Sequence, residues 1–239
     1  MTDEEIIMFY FRPSEKRGRA NFGWLDSKHS FSFGNYYDPE HMGISALRVI
    51  NDDTVIGGAG FDTHGHRDME IISYVLEGSI EHKDSMGQQY IVPAGDIQRM
   101  SAGTGVTHSE FNHSKTNALH FLQIWIQPNK LGIAPSYEQK KVIQQGSLTP
   151  LVTPDGRNGS LSIQQDASIY RLQLKAGEEI DLDTRKRPGY LHVISGKADV
   201  NNNALNAGDA LAAAQEQLNV SALSDLTALW FDLPQENGM

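Results

Sequence analysis

The stretch Tyr74-Val75-Leu76-Glu77-Gly78, an apolar run closed by a glycine, returns later in the chain as Leu191-His192-Val193-Ile194-Ser195-Gly196. Further out, Val92-Pro93-Ala94-Gly95-Asp96 has its counterpart in Leu205-Asn206-Ala207-Gly208-Asp209, each placing a turn glycine and an acidic residue after an apolar position. Each half then closes on an alternating run and a proline: His120-Phe121-Leu122-Gln123-Ile124-Trp125-Ile126-Gln127-Pro128 in one, residues 226–234 in the other. Three landmarks in the same order mark an internal repeat. Between them lie short β-rich runs, at 44–50, 70–76, 90–92, 168–174 and 217–222, separated by Gly, Asn, Asp and Pro. Residues 210–218 alone have helical composition, and the repeat assigns them to a strand instead. This pattern predicts an all-β chain of two β-barrels side by side, an N-terminal one over residues 1–135 and a C-terminal one over 136–239.

The 239 residues suffice for two domains with real cores, and the hydrophobic share of 39% with 22 glycines and 9 prolines describes an ordinary folded protein. A formal net charge of −10 repels phosphate backbones, and Lys140-Lys141 and Arg185-Lys186-Arg187 are too small to reverse that field, so no direct nucleic-acid partner is expected. The absence of cysteine excludes disulfides, thiolate metal sites and a cysteine nucleophile, leaving imidazole and carboxylate as metal ligands. The opening Met1-Thr2-Asp3-Glu4-Glu5 is acidic where a secretion signal is basic, and no apolar run is long enough to span a bilayer. The expectation is a cytoplasmic protein without a membrane partner.

In Asp62-Thr63-His64-Gly65-His66 the two histidines stand at i and i+2, so on a strand they share one face. Thr107-His108-Ser109-Glu110-Phe111 sets a histidine and a carboxylate at the same interval. Brought together inside a barrel, His64, His66, His108 and Glu110 would give three imidazoles and one carboxylate with room for a further ligand. Fe²⁺, Mn²⁺, Ni²⁺, Cu²⁺ and Zn²⁺ all accept such a set. His29, His41, His82, His113 and His192 lie outside any ligand spacing and read as surface or packing residues, while the strand of His120 borders the pocket. Trp24, Trp125 and Trp230 read as core aromatics. No G-x-S-x-G elbow, P-loop or G-x-G-x-x-G turn is present, and Met69 stands where the last histidine of a metallo-β-lactamase pattern belongs.

Around these ligands five residues separate Gly58 from His64, five separate Gly87 from Pro93, and one separates Pro93 from Gly95. This resembles the two motifs of the cupin superfamily. Gly23-Trp24-Leu25-Asp26, Phe31-Ser32-Phe33-Gly34-Asn35-Tyr36-Tyr37-Asp38-Pro39, Leu47-Arg48-Val49-Ile50-Asn51-Asp52-Asp53 and Met100-Ser101-Ala102-Gly103-Thr104-Gly105-Val106-Thr107-His108-Ser109-Glu110 resemble the pirin family over nearly the whole chain. The resemblance implies a bicupin of two jelly-roll barrels with one divalent metal, Fe²⁺ first, held only in the N-terminal barrel by His64, His66, His108 and Glu110. Cupins at large take their extra carboxylate near Glu70; pirins take it from the later H-S-E, so Glu70 is expected to be structural. The glycine-rich residues 98–107 are expected to approach the metal. In the second half, alignment on the repeat glycines puts Leu182, Thr184, Ser221 and Leu223 at the ligand positions, and none binds a transition metal well.

The resemblance is closest to bacterial pirins with quercetinase activity. It implies an oxidoreductase, a quercetin 2,3-dioxygenase, acting on a flavonol or related phenol with O₂, and Glu110 as general base. It carries a second implication, an iron-containing, redox-responsive regulator that binds transcription factors or metabolic enzymes. An open apolar cavity beside the metal favours the enzyme, and a closed site beneath a flat patch favours the regulator.

Overall fold

The structure, a computed structural model, describes residues 8–235, so the acidic opening Met1-Thr2-Asp3-Glu4-Glu5 lies outside the described residues. Regular structure within them is strand apart from the 3₁₀ turns Ser14–Lys16 and Arg157–Gly159, and no helix is long and apolar enough to cross a membrane. The chain forms two compact units. The first comprises Arg17–Val142 and Pro154–Gln165; the second gathers, among the described residues, 8–16, Ile143–Thr153 and 166–235.

In the first unit, a seven-stranded sheet runs Ser136–Lys141, Asp96–Ser101, Glu70–Glu77, Leu119–Ile126, Leu47–Val55, Leu25–His29, Gly18–Asn21, and a four-stranded sheet runs Gly60–His66, Val106–Asn112, Ser79–Asp84, Gln89–Pro93. The second unit repeats the plan, with Met8–Arg12, Ala210–Ala214, Gly189–Ser195, Leu226–Asp232, Ser168–Leu174 and Leu148–Thr153 in one sheet, and Glu179–Asp183, Gln217–Ala222, Lys197–Val200 and Asn203–Asn206 in the other. The repeat landmarks fall on equivalent turns. Gly78 and Gly196 both end a central strand at positive φ, 79° and 88°, and Gly95 and Gly208 stand at 86° and 85°. Residues 210–214 form a strand, as the repeat required against the helical composition of 210–218, and 217–222 form the next one.

The units are not consecutive in sequence, and a cut between residues 135 and 136 does not separate them. Ser136–Lys141 pairs with Asp96–Ser101 and stays with the first unit, while Met8–Arg12 pairs with Ala210–Ala214 and belongs to the second. Both are edge strands. An edge needs only a run of backbone donors and acceptors to cover it, so a segment from either half can serve.

The interiors differ. The second unit holds between its sheets an apolar cluster that includes Leu182, Leu191, Val193, Leu218, Val220 and Trp230. In the first, two clusters are parted by polar side chains. Along Glu70–Glu77, Val75 belongs to one and Ile71 to the other, with Ser73 between; along Leu119–Ile126, Phe121 and Trp125 flank Gln123 in the same way. The register aligns His29, Asn51, Gln123, Ser73 and Gln98 across five neighbouring strands, so one polar band crosses the seven-stranded sheet.

Facing this band, Gly60–His66 pairs with Val106–Asn112 so closely that a Cβ on Gly60 would stand 2.4 Å from the Glu110 carbonyl oxygen and the Phe111 Cα. Both obstacles are backbone, which has nowhere to yield. Gly60→Ala is therefore expected to cost about 1–3 kcal/mol, the range for overpacking, and a thermal melt checks it: a Tm lower by several degrees is expected, and an unchanged Tm would contradict the tight pairing.

Candidate metal centre

His64, His66, His108 and Glu110 sit on the adjacent strands Gly60–His66 and Val106–Asn112, with His64 directly across from His108. Strand alternation turns His64 and His66 to the interior, as their i, i+2 spacing requires. Between His108 and Glu110 the register shifts, because two residues, Asp62 and Thr63, oppose the single Ser109 on the partner strand. Such a bulge re-aims side chains beside it.

Three imidazoles converge on one point. His66 Nε2 lies 3.0 Å from His108 Nε2, which lies 3.1 Å from His64 Nε2. The His64 Nδ1–H donates to the Asp62 carbonyl oxygen at 2.7 Å, so its Nε2 is left as a bare lone pair. Burial, followed by the neighbouring histidines, pushes His66 down to about 4 and His108 down to about 3, which keeps both rings neutral and able to ligate. Three neutral imidazole nitrogens this close together, with a carboxylate beside them, are a donor set that fits a divalent transition metal.

Glu110 is 2% exposed and held from three sides. Its Oε1 accepts hydrogen bonds from Ser73 Oγ at 3.1 Å and Gln98 Nε2 at 2.5 Å, and its Oε2 accepts a long one from Gln123 Nε2 at 3.4 Å. All three donors belong to the polar band. The carboxylate lies within 4.8 Å of donor atoms of His108 and His82, whereas the set that closes with His64 and His66 consists of imidazoles. Glu110 thus borders the three-histidine cluster through His108.

The other sequence readings divide. Glu70 accepts from Ser101 Oγ at 2.8 Å, away from the cluster, in keeping with a structural role. His120 bonds Asp52 at 2.6 Å and does not line the cavity, although its strand supplies Gln123 and Trp125 to it. His82, taken as ordinary, is buried against His108 at a ring separation of 5.4 Å with its Nε2 on Asp84; its pairing with Glu110 across strands has no local sequence signal. His29 and the tryptophans Trp24 and Trp125 also line the cavity, while Trp230 is core. At Gly103 a Cβ would lie 2.1 Å from the Ile133 carbonyl oxygen, so close packing requires the glycine. In the second unit the residue across from Leu182 is Leu218, Thr184 is buried and bonds the Glu216 carbonyl, and Leu223 is exposed. Aligning on glycines had placed Ser221 and Leu223 a few residues too far along.

His64 and His66 open onto a cavity of about 650 Å³ between the two sheets of the first unit, walled by Phe22, Trp24, Phe33, Tyr36, Phe61 and Trp125. The rings meet edge-on, Phe33 on Trp125 at 5.3 Å and Trp24 on Phe61 at 5.2 Å. Asp53, on the seven-stranded side, is 2% exposed, and burial pushes its carboxyl up to about 7. A Ser27 hydrogen bond and His120 oppose the rise, and Asp52 and Glu110 add to it. An acid whose native pKa exceeds its unfolded value near 3.8 stabilises the fold only while protonated, so stability is lost as pH rises through about 7. At about 1.4 kcal/mol per unit the whole window is worth no more than about 4 kcal/mol. In metal-free protein, Asp53→Asn is expected to raise Tm by several degrees at pH 8 and by much less at pH 5; a pH-independent difference would contradict the raised pKa.

The family description "Pirin" matches residues 10–126, and "Quercetinase C-terminal cupin domain" matches residues 150–233. The quercetin 2,3-dioxygenase of Escherichia coli (strain K12) is 49% identical over 229 residues, covering 95% of this chain and 99% of that protein. A pirin-like protein of Caulobacter vibrioides is 40% identical over 227 residues, covering 92% and 97%. Among solved structures, the bacterial pirin YhhW of Escherichia coli in complex with nickel(II) has a TM-score of 0.91 at 48% identity, covering 95% of this chain and 99% of that chain.

Proposed function

The chain belongs to the pirin family, and from that premise we propose that it is a metal-dependent quercetin 2,3-dioxygenase, which opens the central ring of a flavonol with O₂ and releases carbon monoxide. The observation that carries this reading is the convergence of three imidazole Nε2 atoms on the wall of an aromatic cavity sized for a small planar molecule. The same cavity favours an enzyme over a regulator, since a docking protein needs no open aromatic cavity beside its metal.

His64, His66 and His108 would hold one divalent metal, with Glu110 as the fourth ligand. The nickel(II) complex of the Escherichia coli relative supports a single divalent ion. We assign Fe²⁺, because histidine and carboxylate ligands with open positions suit non-haem iron oxygenases. The metal would supply Lewis acidity that lowers the pKa of the flavonol hydroxyl. Glu110 takes that proton on Oε2, the oxygen with only the long Gln123 contact, while Ser73 and Gln98 keep Oε1 in place. Trp24, Phe33, Phe61 and Trp125 exclude water and hold the flat ring system.

Oxygen uptake and carbon monoxide release by anaerobically purified, Fe²⁺-loaded protein given quercetin, beside metal-free protein, tests the reading. Stoichiometric carbon monoxide from the loaded sample alone is expected, and no uptake at full metal occupancy would reject it. In Glu110→Gln, turnover is expected to fall by about 10²–10⁴ with metal content measured on the same sample; full turnover would remove Glu110 as the base.

A further inference from the structure

Across the cavity from His64 and His66, the seven-stranded sheet presents polar groups that neither the metal nor Glu110 uses. Asn51 and Asp53 stand at i and i+2 on Leu47–Val55, so both point inward, and Ser27 on the next strand pairs with Asp53 in register. All three line the cavity. Asn51 and Asp53 are each 2% exposed, yet Asn51 Oδ1 and Asp53 Oδ1 have no hydrogen-bond partner. Buried polar atoms are nearly always paired, with protein, water or ligand, so two unpaired neighbours on a cavity wall point to a group that arrives with the ligand.

Their chemistry specifies that group. Burial raises the Asp53 carboxyl, with Asp52 and Glu110 adding to the rise and a Ser27 hydrogen bond and His120 opposing it, so near pH 7 a large share of it is the neutral acid, which donates a hydrogen bond. Rotation about χ2, a soft torsion for Asp, can turn either oxygen to the cavity. Asn51 offers an amide oxygen as acceptor. A hydroxyl both donates and accepts, and matches this pair. Facing sheets lie about 10 Å apart, a gap that two linked aromatic rings can span.

We propose that Asn51 and Asp53 form a polar subsite that takes a phenolic hydroxyl on the ring of the substrate remote from the metal-held oxygen. The proposal rests on the flavonol reading and deepens it, making the class a flavonol hydroxylated on its pendant ring.

The test is anaerobic binding, without turnover, of quercetin, whose pendant ring carries two hydroxyls, and of galangin, whose pendant ring carries none, to metal-loaded protein by tryptophan fluorescence. Wild-type protein is expected to bind quercetin about tenfold more tightly, the worth of roughly one good hydrogen bond. The ratio should fall toward one in Asn51→Leu and in Asp53→Leu, and Asp53→Asn, which keeps a donor and an acceptor, should retain most of it. Equal wild-type affinities, a result that depends on no variant's folding, or a ratio that survives both leucine variants would overturn the subsite. Failure of both compounds to bind would instead reject the flavonol reading beneath it, a result distinct from equal binding.

Discussion

A buried carboxylate beside three imidazoles is a liability for a β-barrel, and the first unit is organised around making it tolerable. Glu110 is nearly inaccessible to water, and each hydrogen bond to a charged group contributes about 1.5–3 kcal/mol where an unpaired one costs at least as much. Ser73, Gln98 and Gln123 supply those bonds from three neighbouring strands of the facing sheet. They are polar for that reason, and their presence splits the apolar interior into two clusters.

The second unit shows the same architecture freed of that demand. Its ladder between Glu179–Asp183 and Gln217–Ala222 occupies the place of the histidine-bearing ladder, and Leu182, Leu218 and Val220 point inward there. One continuous apolar cluster results. The comparison separates what the barrel needs, an alternating inward face and positive-φ glycines at the strand ends, from what the metal centre adds.

The cavity follows from the same division. Because the polar band keeps aliphatic side chains from closing over the histidines, the space between the sheets is lined by rings that meet edge to edge and leave a gap. The chain carries a net charge of −10, but the cavity wall carries Arg19 and imidazoles, with Asp53 its one acidic residue among the described ones and that one about half protonated near pH 7. An electron-rich phenol approaching the histidines meets little negative charge.

The sequence by itself determined the duplicated β architecture, since periodicity and turn glycines are local properties, and it marked His64, His66, His108 and Glu110, because i, i+2 spacing settles which face of a strand a side chain takes. Likeness to a family carried the assignment of those four as ligands further than spacing alone could. Tertiary structure decided what depends on cross-strand register. The polar band is one residue deep in each of five strands, so no single stretch displays it, and Ser73 or Gln123 reads locally as an interruption of an apolar run. His82 against Glu110, His29 and Trp125 on the cavity wall, and the edge strands that cross between the sequence halves belong to the same class. Each is a relation between distant residues, set by how strands pair, and pairing partners are not written in the local sequence.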